Sequence, residues 1–418
     1  MAGAGLATHS AATATSRRCR PHDKHTMTKQ RLIPSALLLL AAAALPCGAL
    51  ASKPAPAQTG AAKTAAKSTA KPSTKKRAAA AAAATAAGGA AVARTVQGST
   101  PYGERPDAMQ MAADIAMRHD LPVDWVRDTI AQARFLPQVP RLMTPAAQGT
   151  AKNWGVYRSR FVEPVRIRAG TRFWQDNAAA LARAEKQYGV PAEIIVGIIG
   201  VETIYGQQMG NFRVIDALAT LSFDFPAAHP RAQARTEYFR GELEQFLRFT
   251  HRAATDPFSL RGSYAGAMGM GQFMPSSWVK WAVDFDGDDR IDLFGSAADA
   301  IGSVANYFVA HGWKSGMPTH YPVIMQAQGA DLAALLAPDI LPQFTADEMA
   351  ARGVQLPGSG AAHQGPLALV KLENGAQGQP LYIAGTENFY AITRYNWSSY
   401  YALSVIELGQ EVATAMGR

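Results

Sequence analysis

The sequence contains very little cysteine: of its 418 residues, only Cys19 and Cys47 carry a thiol. Both lie upstream of a predicted signal-peptide cleavage site, so the mature chain would contain none, which excludes disulfide bonds and thiolate chemistry. The sequence also lacks an HExxH motif and any cluster of histidine with cysteine, which argues against a catalytic transition metal. No segment repeats at a period of about 20 to 50 residues, so nothing indicates a solenoid or a propeller.

Acidic residues are absent from residues 52–103, which contain eight lysines or arginines among alanine, threonine, proline and glycine. Such a segment cannot bury enough apolar surface to fold, and we predict a disordered basic linker. Its charge suits weak contact with an anionic wall polymer or a membrane surface. Residues 104–418 carry 27 basic and 31 acidic side chains, a net of −4, so the overall charge of +9 does not indicate a nucleic-acid partner.

The segment before this linker has the layout of a secretory signal peptide. A basic stretch precedes an apolar run that is too short to span a bilayer, and a small-x-small cleavage site follows. We therefore assign residues 1–51 to the signal, with Met27 as an alternative start, and expect a periplasmic protein. An outer-membrane lipoprotein acylated at Cys47 is the less favoured alternative. Pro46 would stand at the scissile bond, and Leu45 lies one place too close to the cysteine.

From residue 104 onward the composition is that of a globular protein, and helical periodicity dominates. The predicted helices cover residues 107–118, 122–133, 173–188, 192–205, 237–251, 276–285, 297–311, 346–352 and 399–416. Near the C-terminal end the period changes to two, which predicts short strands of a small antiparallel sheet at 367–372, 381–384 and 389–393. The expected fold is mostly helical α+β, with residues 104–418 forming one catalytic domain whose main lobe is flanked by smaller ones.

Residues 190–206, VPAEIIVGIIGVETIYG, place an acidic residue on an apolar helix face. At about 100° per residue, Glu202 lies on the side of the isoleucines, whereas Glu193 lies on the opposite face. Burial favours the neutral acid and raises its pKa, as a general acid working near neutral pH requires. The structural alternative is a helix-end carboxylate that pairs with an arginine such as Arg213.

Residues 262–277, GSYAGAMGMGQFMPSS, contain four glycines within ten residues. Glycines allow close backbone approach, but their spacing here matches neither a dinucleotide-binding loop nor a nucleophile elbow. Ser263, Tyr264, Gln272 and Phe273 combine hydrogen-bonding groups with apolar faces, as a saccharide site does. A tightly packed turn is the alternative.

Three longer motifs resemble the lytic murein transglycosylase B family: VETIYGQQMGNFRVIDALATLSFDFP, AGAMGMGQFMPSSW and DAIGSVANYFVAHGW. The resemblance covers roughly residues 105–418. It implies a lysozyme-like catalytic lobe that cuts the MurNAc–GlcNAc β-1,4 bond of peptidoglycan glycan strands and leaves 1,6-anhydro-MurNAc ends. Glu202 aligns with the catalytic acid, and Ala234 stands where the family often has a second arginine. The implied substrate contacts are Ser263, Gln272, Phe273, Arg235, Tyr238, Tyr157, Asn396 and Tyr401.

The resemblance implies a mechanism with a single carboxylate and no cofactor. Glu202 would protonate the glycosidic oxygen and then take a proton from the MurNAc 6-hydroxyl as the anhydro ring closes, a step favoured by its intramolecular geometry. A hydrolytic lysozyme-type muramidase would need a second carboxylate, for which Asp216, Asp224 and Asp256 are candidates. A non-catalytic peptidoglycan-binding protein is the remaining alternative.

Residues 284–292, DFDGDDRID, have carboxylates at alternating positions, as calcium-binding loops do. The resemblance implies an EF-hand-like site that holds a structural Ca2+. Its candidate ligands are Asp284, Asp286, Asp288, Arg290 and Asp299. The sequence departs from the usual loop, because Asp289 replaces the turn glycine and Gly295 stands where the closing glutamate is expected. A solvated acidic turn is the alternative.

Overall fold

The computed structural model describes residues 101–144, 152–326 and 329–418. The predicted signal peptide and residues 52–100 of the predicted linker lie outside the described residues. Tyr102, which the sequence analysis assigns to the linker, is buried and donates a hydrogen bond of 2.8 Å to Asp224, so the folded part includes it. No helix in the three described ranges is both long and apolar enough to cross a bilayer.

The described residues are mostly helical, and the elements are numbered here in chain order. The helices are α1 Pro106–His119, α2 Val123–Ala131, α3 Gln138–Met143, α4 Trp154–Arg158, α5 Pro164–Asp176, α6 Ala178–Tyr188, α7 Ala192–Thr203, α8 Val214–Phe223, α9 Ala232–Arg252, α10 Pro275–Trp281, α11 Ala297–Ala310, α12 Leu332–Leu336, α13 Ala346–Ala351, α14 Glu387–Tyr395 and α15 Ser399–Ala415. The strands are β1 Phe212–Arg213, β2 Arg261–Gly262, β3 His320–Pro322, β4 Ile324–Met325, β5 Val354–Gln355, β6 Ala368–Asn374 and β7 Gly378–Gly385. Two 3₁₀ turns are Tyr102–Glu104 and Gly358–Ala362. The predicted class, mostly helical α+β, is confirmed.

The strands pair in small antiparallel sheets: β1 with β2, β4 with β5, and β3, β7 and β6 in that order. In the last of these, β6 and β7 form a hairpin whose turn covers residues 375–377, between the two strands predicted over residues 367–372 and 381–384. The central strand of this sheet is β7, and β3 pairs with it on the side opposite β6, with His320 opposite Gly385.

The strand predicted over residues 389–393 is wrong, because these residues lie in α14. Thr386 begins this helix by accepting the backbone N–H of Asn388, and Glu387 in the first turn complements the helix dipole. A short apolar run does not by itself distinguish a strand from a buried helix. The capping threonine was the local signal that decides between them.

Two predicted helices are interrupted or clearly shorter in the structure, whereas the helix predicted over residues 237–251 begins five residues earlier, as α9 at Ala232. The helix predicted over residues 173–188 is divided between α5 and α6 at Asn177, whose side-chain amide donates to the carbonyl of Phe173. The helix predicted over residues 276–285 ends at Trp281, because the backbone of Ala282 is extended. In both cases the apolar periodicity continues past the point at which the backbone leaves the helix.

The described residues form a core with two parts. The larger surrounds α7, which is buried on all sides from Ile194 to Thr203, as expected of a helix that is apolar all round. The smaller lies under the sheet and includes Leu335, Met349 and Leu369. The arrangement agrees with a main lobe accompanied by a smaller one.

Two glycines allow α7 and α15 to cross in close contact. A Cβ on Gly197 would overlap the backbone oxygen of Val405, and a Cβ on Gly409 would overlap that of Glu193. Neither position therefore tolerates a side chain without separating the helices. The pairs also show that the helices run antiparallel, so the start of α15 meets the last turn of α7.

Candidate active site

Glu202 lies in the last turn of α7, and this helix ends sharply after Thr203. Ile204 and Gly206 have φ values of +50° and +85°, and this left-handed backbone costs a β-branched residue about 1–2 kcal/mol. The Thr203 hydroxyl holds the turn: it donates to the carbonyl of Met270 at 2.7 Å and accepts the N–H of Gly206 at 2.9 Å. The end of α7 is thereby fixed to the glycine-rich segment.

The carboxyl group of Glu202 is buried, and the residue is 6% exposed. Its Oε1 accepts a hydrogen bond of 2.6 Å from the hydroxyl of Tyr401, which α15 brings to this point. Burial raises the pKa of Glu202 to about 7, and the Tyr401 hydrogen bond opposes that rise. The carboxyl group can therefore both release and take up a proton near neutral pH. Arg213 does not pair with it, since this arginine binds Asp216 through two nitrogens at 2.7 and 2.8 Å.

Glu202 lines an open cleft. The cleft is formed by the end of α7, the glycine-rich segment, and side chains of α9, α10, α11 and α14. Its lining residues are Glu202, Tyr238, Gln272, Phe273, Met274, Ser276, Ser277, Lys280, Trp281, Tyr307, Arg394, Tyr395 and Asn396. Aromatic faces beside hydroxyl and amide groups match the apolar faces and hydroxyl edges of a saccharide.

Several predicted substrate contacts converge on this cleft. Tyr238, Gln272, Phe273 and Asn396 line it together with Glu202. The side-chain nitrogen of Gln272 donates to two backbone carbonyls at 3.1 Å each, and the residue has a φ of +51°. These two bonds fix the orientation of the amide and occupy its nitrogen. The side chain can therefore offer a ligand only its acceptor oxygen.

Ser263 and Arg235 lie outside this lining. The hydroxyl oxygen of Ser263 accepts the N–H groups of Ala265 and Ala267 at 3.3 and 3.0 Å, so it organises the glycine-rich segment. Arg235 is buried on α9, about one turn before Tyr238. Burial lowers the pKa of its guanidinium group.

Tyr401 and Tyr157 lie close to the acid without lining the cleft. Tyr401 contacts Glu202 directly, and burial raises its pKa well above the usual range, so it remains a hydrogen-bond donor. The ring of Tyr157 packs edge-on against Tyr400 with centroids 5.6 Å apart. Burial, and then the charge of Glu202, raise the pKa of Tyr157 to about 12.

Sequence reasoning missed Tyr395, which lies beside Glu202. Its hydroxyl donates to the carbonyl of Gly271, and its ring centroid lies 4.7 Å from that of Tyr307. Burial and the charge of Glu202 raise the pKa of Tyr395 well above the usual range. Tyr395 directly precedes Asn396, a predicted substrate contact, and this position was the sequence signal that could have identified it. Trp281 and Arg394, which also line the cleft, were not among the predicted substrate contacts.

The three carboxylates proposed for a hydrolytic mechanism are engaged elsewhere. Asp216 and Asp224 each pair with an arginine, and Asp256 accepts a backbone N–H of its own turn. None of the three lines the cleft. Within the described part of the chain, Glu202 is the one acidic residue in that lining.

The acidic loop before α11 brings three of the five predicted metal ligands together. Single carboxylate oxygens of Asp284, Asp286 and Asp299 lie within 4.8 Å of one another, and oxygen donors of this kind suit Ca2+. Asp288 is not in this group, and its carboxylate accepts a backbone N–H two residues further on. Asp289 has a φ of +66°, so it adopts the left-handed turn that glycine usually provides.

The sequence of this chain is similar to a known protein family and to a characterised relative. A family model described as the transglycosylase SLT domain matches residues 103–410. Membrane-bound lytic murein transglycosylase B of Escherichia coli (strain K12) is 42% identical over 322 residues, which cover 75% of this chain and 84% of the relative.

Solved structures are similar as well. The Escherichia coli lytic transglycosylase Slt35, in complex with bulgecin A and in complex with calcium, is 41% and 42% identical, with TM-scores of 0.68 and 0.67. Each match covers 78% of this chain and 98% of that chain. SltB3 from Pseudomonas aeruginosa, in complex with NAG-NAM-pentapeptide, is 28% identical with a TM-score of 0.61, over 75% of this chain and 80% of that one. The resemblance found in the sequence is confirmed: the chain belongs to the lytic transglycosylases of the SLT-domain family.

Proposed function

We propose that this lytic transglycosylase cuts the MurNAc–GlcNAc β-1,4 bond of peptidoglycan and leaves a 1,6-anhydro-MurNAc end, with Glu202 as the single general acid and base. The observation that carries the proposal is a buried acid with a pKa of about 7 in a cleft whose other described lining residues are aromatic, apolar, neutral polar or basic. The names of the relatives support the substrate, since one acts on murein and another holds NAG-NAM-pentapeptide.

In the first step, the protonated carboxyl group of Glu202 donates its proton to the glycosidic oxygen. The bond between C1 of MurNAc and this oxygen breaks, and its electron pair stays with the leaving sugar. The acetamido oxygen of the same MurNAc stabilises the positive charge at C1. The carboxylate that forms on Glu202 keeps the hydrogen bond from Tyr401, which favours the ionised state between the two steps.

In the second step, the Glu202 carboxylate takes the proton from the 6-hydroxyl of MurNAc while O6 bonds to C1. The acid is restored and no water is consumed, so atoms and protons balance. Closure within one sugar gains the high effective concentration of an intramolecular reaction. A hydrolase would instead need a second group to activate water, and the cleft lining in the described ranges offers no second carboxylate for that role.

The test is to incubate the protein with purified sacculi and to analyse the released muropeptides by mass spectrometry. The wild type is expected to release anhydro-ended products, and Glu202→Gln none. Glu193→Gln, at the other end of α7, is the matched control and should retain activity. Reducing-ended products would contradict the proposal in favour of a hydrolase. Release by neither protein would favour a binding protein without catalysis.

We also propose that the acidic loop binds a structural Ca2+. Asp284, Asp286 and Asp299 would hold it, with Asp288 and Arg290 as the further predicted ligands. The ion would supply positive charge that links the loop to the first turn of α11. The calcium complex of a relative supports this proposal. No step of the reaction passes through the ion.

We further propose that the enzyme is exported to the periplasm and that its basic linker makes weak contacts with the wall or a membrane surface. The composition of residues 27–103 supports both proposals. Fractionation of cells that produce the full chain is expected to recover a processed form in the periplasm. An unprocessed cytoplasmic protein would contradict export, and incorporation of a labelled fatty acid would support the lipoprotein alternative at Cys47.

A further inference from the structure

A second buried carboxylate, Glu242, lies directly behind the wall of the cleft. It is 3% exposed and does not belong to the cleft lining. Its Oε2 accepts the backbone N–H of Ser276 at 2.8 Å, and its Oε1 accepts the hydroxyl of the same serine at 2.7 Å. The hydroxyl of Tyr238, one turn earlier on α9, also hydrogen-bonds to this carboxylate. Tyr238 and Ser276 both line the cleft beside Glu202.

These contacts fix where the hydroxyl hydrogens point. A carboxylate has no hydrogen to donate, and three donors that converge on Glu242 favour its ionised form. Tyr238 and Ser276 must therefore each direct their one hydroxyl hydrogen at Glu242. Only oxygen lone pairs remain for a ligand in the cleft. Burial raises the pKa of Glu242, and the hydrogen bonds from Ser276 and Tyr238 oppose that rise.

We propose that Glu242 is a positioning residue that makes the Tyr238 and Ser276 hydroxyls in this wall of the cleft accept, and not donate, hydrogen bonds. Through Tyr238 and Ser276 it selects ligand groups that donate, such as an acetamido N–H or a free sugar hydroxyl. A ligand with an ether at the same place is disfavoured, because two oxygens without a hydrogen cannot bond to each other. The inference rests on the proposed function, since it takes a saccharide as the ligand.

The experiment measures kcat and KM on soluble glycan strands for the wild type and Glu242→Gln. The amide of glutamine has one acceptor oxygen and one nitrogen that only donates, so a hydroxyl of Tyr238 or Ser276 must reverse to accept from that nitrogen. We expect KM to rise about tenfold while kcat changes by less than about threefold, because a lost ground-state hydrogen bond appears in KM. Glu237→Gln, which removes an exposed carboxylate from the same helix, is the matched control and should leave both constants unchanged.

A double-mutant comparison separates positioning from a structural role. If Glu242 acts through the two hydroxyls, adding Glu242→Gln to the Tyr238→Phe/Ser276→Ala variant should change KM by less than about twofold. The same tenfold rise in KM in that background, or no rise in the wild-type background, would overturn the inference.

If Glu242→Gln does not fold, the single variants Tyr238→Phe and Ser276→Ala still test the inference. An unchanged KM in both variants overturns it, and a raised KM in both supports it. A wild type without activity on sacculi, or an active Glu202→Gln, would instead refute the proposed function.

Discussion

The buried acid should make the enzyme less stable as the pH rises, and Glu202→Gln should remove that dependence. The pKa of Glu202 is about 7 in the folded protein against an ordinary value of 4.5, so the folded state binds more protons between these two values. Stability therefore falls as the pH increases through this window, and the loss is complete above pH 7. The difference corresponds to about 3 kcal/mol, or about 5 °C in Tm for a domain of this size.

The assay is thermal or urea unfolding of the wild type and Glu202→Gln at several pH values between 4 and 8.5. The glutamine oxygen can still accept from Tyr401, so the comparison isolates the charge. We expect the two proteins to be similar near pH 4 and the variant to be more stable by about 3 kcal/mol at pH 8. Glu193→Gln serves as the control on the same helix. A difference that does not change with pH would refute the claim that burial holds the proton on Glu202.

Three further predictions concern the hydrogen-bond partner of Glu202, the crossing of α7 with α15, and the acidic loop. Tyr401→Phe removes the hydrogen bond that lowers the pKa of Glu202, so the alkaline limb of the pH profile of kcat/KM should move upward and kcat should fall about tenfold. Gly197→Ala forces a Cβ against the backbone oxygen of Val405 and should lower the free energy of unfolding, measured in urea, by about 1–3 kcal/mol. Calcium at about 100 times its Kd should stabilise the protein by about 2.7 kcal/mol, and Asp299→Asn should abolish the shift in Tm. An equal shift in that variant would contradict the proposed site.

Local patterns were enough to predict that Glu202 is buried. The helical period placed Glu202 with the isoleucines, and a carboxylate on an apolar face implies burial and a raised pKa, as the structure has it. The same reasoning identified one apolar face, whereas α7 is buried on all sides from Ile194 to Thr203. Helical periodicity identifies the face of α7 that carries the isoleucines. It does not show that α15 and other helices pack against the opposite face and bury it as well. The strand predicted over residues 389–393 failed for a related reason, since a short apolar run suits either a strand or a helix.

The sequence by itself determined that Glu202 is a buried carboxylate, which segment bends beside it and which class of fold results, because these depend on neighbours within a few positions of the chain. Only the tertiary structure decided the partners of that acid. Tyr401 reaches Glu202 because two glycines let distant helices touch, and Glu242 reaches Ser276 across 34 positions. Hydrogen bonds between such distant residues leave no periodic signal, because their geometry exists only once the chain has packed.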